Sequence, residues 1–242
     1  MSKARPMGAG RRLVVMAWLL LATAGMPHAD QPGPAQWESA MEAFAQQDRA
    51  QPPPRHGVLF IGSSSIRAWS TLAEDFPGIP VINRGFGGST IADSTYYADR
   101  IVAPYQPRLI VMYAGDNDVA EGHSAQQVAD DFKAFVVRVR RDLPAVAVVY
   151  VSIKPSVAHW SQWPIVRAAN DIIRAWASTQ HAVRFVDISQ VMLDAQGRPH
   201  PELFREDGLH MKPAGYALWT AALRSVLAAY GFPVREAAPV SP

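Results

Sequence analysis

Val58-Leu59-Phe60-Ile61 is an unbroken apolar run that stops at Gly62, and a chain carrying several such runs has few ways to fold. Leu109-Ile110-Val111-Met112-Tyr113 and the segment from Val146 to Ile153 have the same character. Pro80-Val81-Ile82-Asn83 and Val183-Arg184-Phe185-Val186-Asp187 are shorter versions. Near-continuous apolar strands are buried on both faces, as in a parallel sheet covered by helices. Helical patterns stand between the runs. Gln126 to Leu143 carries Val128, Phe132, Phe135, Val136 and Val139 on one side, Ile165 to Thr179 follows, and Pro213 to Tyr230 closes the chain. The alternation predicts one α/β domain with helices on both faces of a parallel sheet, and right-handed crossovers leave few topologies.

The alternation begins at Gly57. Residues 1–29 read as a secretory signal peptide: Lys3, Arg5, Arg11 and Arg12 flank or precede the apolar stretch from Leu13 to Leu21, and cleavage after Ala24 or Ala29 fits the small residues beyond. That stretch is about half of the ~20 residues a bilayer span requires, so no stable span is expected once the leader is gone. Residues 30–56 read as a linker and helix, with Trp37, Met41 and Phe44 at helical spacing between proline-rich ends. Residues 57–232 are the main domain and 233–242 a tail. The formal charge of +2 becomes −2 when the leader's four basic residues are set aside, which gives no basis for nucleic-acid binding. The chain has no cysteine, which excludes disulfides, thiolate zinc sites and iron–sulfur clusters. An exported protein of this kind, periplasmic or secreted, gains its stability from its core.

In an open parallel sheet, ligands bind outside the carboxyl ends of the strands. Ser64 follows the first apolar run, Gly88 the second and Asn117 the third, while Asp207-Gly208-Leu209-His210 lies beyond the fifth. Each has an ordinary structural use on its own: a serine caps a helix, a glycine turns the chain, an asparagine closes an Asx turn. As an ordered set at one sheet edge they suit nucleophilic catalysis. His210 can take the proton from Ser64 while Asp207 orients the imidazole. The Gly88 N–H and the Asn117 amide can meet the oxygen that becomes negative. Trp160 and Trp163, after the fourth run, either pack in the core or wall the substrate pocket, and the pocket is the favoured reading. No dinucleotide or Walker motif follows the first run, and the histidines lack metal-ligand spacing, with His200, Glu202 and His210 the only loose grouping.

Four blocks stand in order: Gly62-Ser63-Ser64-Ser65-Ile66, Asn83-Arg84-Gly85-Phe86-Gly87-Gly88, Gly115-Asp116-Asn117-Asp118 and Asp207-Gly208-Leu209-His210. Together they resemble the SGNH hydrolases, also called GDSL-type esterases and lipases. The second block and the helix from Gln127 onward are similar to the platelet-activating-factor acetylhydrolase-like branch. The resemblance spans Gly57 to Tyr230. It implies a flavodoxin-like three-layer α/β/α fold with a five-stranded parallel sheet of order 2-1-3-4-5. It also implies ester hydrolysis without metal or cofactor, through an acyl-enzyme on Ser64, with Asp207 and His210 completing the triad and Ser64, Gly88 and Asn117 forming the oxyanion hole. Two positions depart from the family pattern. Ser63 replaces the usual aspartate, which implies altered local packing. Asp116 adds a carboxylate that would disfavour anionic substrates if it pointed at the oxyanion hole. The expected activity is that of an exported serine esterase on small acyl esters, acetyl esters on a carbohydrate or other polar scaffold included. An acyltransferase or thioesterase using the same site is the alternative among enzymes, and a non-catalytic binding module the alternative outside them.

Overall fold

The computed structural model describes Met1 and residues 34–233, so the leader expected over 1–29 and nearly all of the expected tail lie outside the described residues. Five strands, β1 (Val58–Gly62), β2 (Val81–Gly85), β3 (Leu109–Tyr113), β4 (Ala147–Val151) and β5 (Val183–Val186), form one parallel sheet of order β2-β1-β3-β4-β5. The helices in chain order are α1 (Glu38–Ala50), α2 (Ser64–Arg67), α3 (Leu72–Asp75), α4 (Ile91–Tyr96), α5 (Ala98–Ile101), α6 (Asp116–Ala120), α7 (Ala125–Asp142), α8 (Trp163–Ala177) and α9 (Pro213–Ala229).

Every residue of β1, β3 and β4 is buried, and the pleat sends successive side chains to opposite faces. Leu59, Ile61, Ile110, Met112, Val148 and Tyr150 join one core layer with α1, α4, α5, α7 and α8. Val58, Phe60, Val111, Tyr113, Val149 and Val151 join the other with α2, α3 and α9, where Trp69 stacks on Tyr216 and meets Trp219 edge-on. This is the three-layer architecture and strand order that the four sequence blocks imply. The long helices begin where local chemistry favours it: Ser124 and Gln127 make a reciprocal capping box before α7, and Pro213 occupies the first turn of α9.

Parallel pairing places the carboxyl ends of all five strands at one edge. Gly62 is in register with both Gly85 and Tyr113, so β1, β2 and β3 end level with one another. Between β1 and β3 the direction of sheet winding reverses, which opens a crevice there. Helix α1 closes one side of that crevice and is firmly tied down. Asp48 pairs with the buried Arg84 and accepts from Tyr105 Oη at 2.6 Å, while Glu38 accepts from Arg100 at 2.6 Å and from Tyr97 at 3.1 Å. Among the described residues no helix is long and apolar enough to cross a membrane.

Candidate active site

β1 delivers Ser64 through a turn that only glycine permits. Gly62 has φ +134°, and a Cβ there would overlap the carbonyl oxygen of Tyr113 on the neighbouring strand. The N–H of Ser63 then bonds that same carbonyl at 3.0 Å, which fixes the turn to β3. Ser64 opens α2, a helix of a single turn. So short a helix has little macrodipole, contrary to the stabilisation a longer helix would supply. What remains is the Ser64 N–H itself, which has no hydrogen-bond partner among the described residues.

Ser64 Oγ lies 2.9 Å from His210 Nε2, and His210 Nδ1 lies 2.7 Å from Asp207 Oδ2. The other carboxylate oxygen of Asp207 accepts the N–H groups of Leu209 and His210, both at 2.9 Å. Burial opposes ionisation of Asp207, but these bonds outweigh it and hold its pKa down at about 2. An ionised Asp207 fixes the imidazole with its proton on Nδ1, leaving Nε2 to receive the serine proton. The loop itself is buttressed by the chain after β4: Ala158 N–H bonds the Gly208 carbonyl at 3.1 Å.

The candidate oxyanion donors come to the same cavity from two further strand ends. Gly88, at φ +78°, follows β2, and its N–H is also without a partner among the described residues. Asn117 Nδ2 gives one hydrogen to the Ser89 carbonyl at 2.9 Å, which fixes the amide and leaves its second hydrogen available. Asp118 Oδ1 holds the same two blocks together by accepting from Ile91 N–H at 3.0 Å. Ser64, Asn117, Gly88 and His210 all line one cavity of about 700 Å³. The residues expected from the sequence as triad and oxyanion hole are therefore brought together.

Trp160 and Trp163 are not on this cavity. They stack on each other at 5.8 Å and pack against the core beneath α8, Trp163 being buried there. An aromatic pair at the start of a helix found apolar surface to cover on the sheet, so the expected wall is absent from these positions. The wall comes instead from Trp37, Ala40, Ala43 and Phe44 of the α1 region and from Phe86, which meets Trp37 edge-on at 5.5 Å. The sequence pattern marked Trp37 and Phe44 as packing residues. Nothing in helical spacing said that their helix lies against Gly88.

Asp116 turns under the site rather than into it. Its carboxylate is buried and accepts from Lys154 Nζ at 2.8 Å, Tyr113 Oη at 3.1 Å and Asn117 N–H at 3.1 Å. Burial raises its pKa, but the Lys154 charge and these hydrogen bonds prevail and lower it below the ordinary value. Lys154 Nζ spends its other hydrogens on Tyr113 Oη at 2.9 Å and Ser65 Oγ at 3.2 Å. Ser63 Oγ is 3.4 Å from Asp116, a long contact. A buried ion pair thus spans the nucleophile turn and the Asn117 turn. Lys154 was missed by sequence reasoning, although a lysine three residues past a fully apolar strand was a usable signal.

The loose grouping of His200, Glu202 and His210 does not form, because His200 pairs with Glu202 while His210 serves Ser64 and Asp207. A different trio, Asp118, His123 and Asp131, places one donor atom each within 4.8 Å of one another. His123 Nδ1 already faces Asp131 Oδ2 at 3.5 Å. Burial raises the pKa of Asp118 to about 7, which favours its neutral form.

A sequence model of the GDSL-like lipase/acylhydrolase family matches residues 50–218. Platelet-activating factor acetylhydrolase IB subunit alpha1 from Bos taurus is 26% identical over 212 residues, covering 83% of this chain and 86% of its own. Among solved structures, a GDSL-like lipase from Bacteroides thetaiotaomicron superposes with a TM-score of 0.63 at 22% identity, covering 78% of this chain and 97% of its own. A carbohydrate esterase family 3 protein from Talaromyces cellulolyticus gives 0.57 at 18% identity, covering 72% and 97%. At these identities the structural likenesses speak to the fold alone.

Proposed function

Because the chain belongs to the GDSL-like lipase/acylhydrolase family, we propose that it is an exported serine esterase that hydrolyses small acyl esters through an acyl-enzyme on Ser64. The observation that carries this reading is the unbroken hydrogen-bonded line from Ser64 Oγ through His210 to Asp207, opening on a cavity with three available oxyanion donors. As Ser64 Oγ attacks the ester carbon, its proton passes to His210 Nε2. Ser64 N–H, Gly88 N–H and Asn117 Nδ2 hold the oxyanion. Collapse of that intermediate expels the alcohol oxygen, which takes the proton back from His210. Water then enters, gives a proton to the same nitrogen, attacks the acyl carbon and releases the acid, restoring Ser64.

Acetyl is the acyl group best supported, since the bovine relative is by name an acetylhydrolase. Export rests on the charged and apolar pattern of residues 1–29. The test is turnover of a chromogenic acetyl ester by the protein without its leader, beside Ser64→Ala. Hydrolysis by the parent and its loss in the folded variant are expected. Equal rates from both would refute the reading, and absence of turnover across a panel of acyl esters would favour a binding module.

A further inference from the structure

We propose that Arg67 makes this a site for acyl esters that carry a negative charge, a carboxylate, phosphate or sulfate held by its guanidinium. The inference rests on the esterase reading and adds the substrate class. Arg67 lies three residues after Ser64, at the end of the same single helical turn, and lines the same cavity. Its guanidinium lies over the glycine-rich loop. A Cβ on Gly87 would sit 2.7 Å from Arg67 Nε and 2.9 Å from Nη2, which places the guanidinium against Gly87, the neighbour of Gly88.

Arg67 is exposed, and two features leave its charge available to a ligand. First, among the described residues its side chain makes no hydrogen bond, ion pair or ring contact, whereas Arg84 and Arg100 nearby are both paired to carboxylates on α1. Second, no aspartate or glutamate lines the cavity, so nothing on its wall neutralises the cation. Asp116, the carboxylate that would repel anions if it faced the cavity, is buried and matched by Lys154, and Asp207 is engaged by His210.

Around Arg67 the cavity offers an amphipathic frame. Trp37, Phe44 and Phe86 supply apolar surface, and the amides of Gln36 and Gln47 supply neutral hydrogen-bonding groups. A second hollow of about 390 Å³ continues past Arg67 along Trp69 and Asn83, again without an acidic residue. The guanidinium therefore stands between the reacting serine and further space. A planar fork of donors suits bidentate capture of a carboxylate or phosphate, and such charge-assisted bonds are stronger than neutral ones. Of this frame, Gln36, Trp37, Phe44 and Gln47 precede the span matched by the family model, and Phe86 lies within it.

The experiment compares kcat/KM for matched pairs of chromogenic esters at low ionic strength. In one pair the charge is on the acyl side, a 4-nitrophenyl hemisuccinate against its methyl ester. In the other it is on the alcohol side, 4-acetoxybenzoate against its methyl ester. Parent protein, Arg67→Lys, Arg67→Gln and Arg67→Glu are assayed together. We expect the parent to favour the anionic member of at least one pair by roughly tenfold, and the pair that responds identifies which part of the ester faces Arg67. The preference should shrink with added salt, survive in part in Arg67→Lys, vanish in Arg67→Gln and invert in Arg67→Glu. A parent that hydrolyses the neutral esters with no charge preference overturns this inference and leaves the esterase reading standing. Equal losses on charged and neutral esters in the variants would mark a structural role and also overturn it. No hydrolysis of any of the four esters would remove the esterase reading itself.

Discussion

Replacing Lys154 by methionine removes the cation from a site where Asp116 cannot easily reach water. The two side chains are 1% and 6% exposed. Removing one member of a buried pair costs about 3–5 kcal/mol, because the other is left charged and unmatched. An independent route reaches the same size. The orphaned Asp116 escapes by taking a proton, and at pH 7 that costs about 1.36 kcal/mol for each of the roughly three units above the ordinary carboxylate value, about 4 kcal/mol. Against a typical total of about 5–15 kcal/mol this is a large loss, equivalent to a fall of roughly 8–16 °C in Tm for a domain of this length. The pH dependence reverses sign. In the parent, the Asp116 pKa is lowered, so its contribution is present above the unfolded value of about 3.9 and is lost as pH falls through the folded one. In Lys154→Met the folded pKa is raised by burial, so stability is greatest below about pH 4 and declines as pH climbs. Urea unfolding at pH 5, 6 and 7 measures both effects, and Lys154→Met/Asp116→Asn should recover much of the loss by removing the stranded charge. A deficit below about 0.5 kcal/mol, or one that does not change with pH, would refute the assignment of Lys154 as the partner that keeps Asp116 ionised.

Asn117→Ala should lower kcat by about 10²–10³ with little change in KM, since its free amide hydrogen is most useful once the oxyanion exists. Steady-state kinetics on a model acetyl ester checks this, and unchanged turnover in a folded variant removes Asn117 from the site. Asp207→Asn should lower kcat by roughly 10⁴, by favouring the wrong imidazole tautomer. Asp207 itself stays ionised down to about pH 2, so it should add no proton to the acid limb of the parent's kcat profile, which should have a slope of one. A two-proton slope would contradict that. Asp118, with its folded pKa raised to about 7, supplies stability that is full below about pH 4 and is lost towards pH 7, so Asp118→Asn should flatten that decline in unfolding measurements.

The fold was legible because burial on both faces leaves a mark in one dimension. Val58–Ile61 and Leu109–Tyr113 have no polar residue to expose, and the strands fall there. The candidate site was legible because a parallel sheet brings every strand end to one edge, so Ser64, Gly88, Asn117 and His210 could be expected together, and they line one cavity. Side-chain direction was not legible. Asp116 and Asn117 are neighbours in sequence, yet one turns down to Lys154 and the other up to the cavity, and only the positive φ of Gly115 and the short helix after it decide which. Trp163 was equally ambiguous, since a tryptophan at the functional edge covers core or substrate according to how far α8 leans on the sheet. Lys154 meets Asp116 across 38 residues, and its role depends on β3 and β4 being adjacent, a fact of topology rather than of local pattern. The position of α1 against Gly88 is tertiary in the same sense.

The central claim is that Ser64, and neither of its serine neighbours, attacks the ester. Ser63 and Ser65 are both buried, with Ser63 Oγ near Asp116 and Ser65 Oγ accepting from Lys154, while Ser64 alone of the three reaches His210. A fluorophosphonate probe labels a serine only when its oxygen is activated, and mass spectrometry of the peptide spanning Val58 to Arg67 locates the adduct. The adduct should be on Ser64, labelling should disappear in Ser64→Ala, and it should persist in folded Ser63→Ala and Ser65→Ala. An adduct on Ser63 or Ser65, or undiminished labelling of Ser64→Ala, would contradict the account.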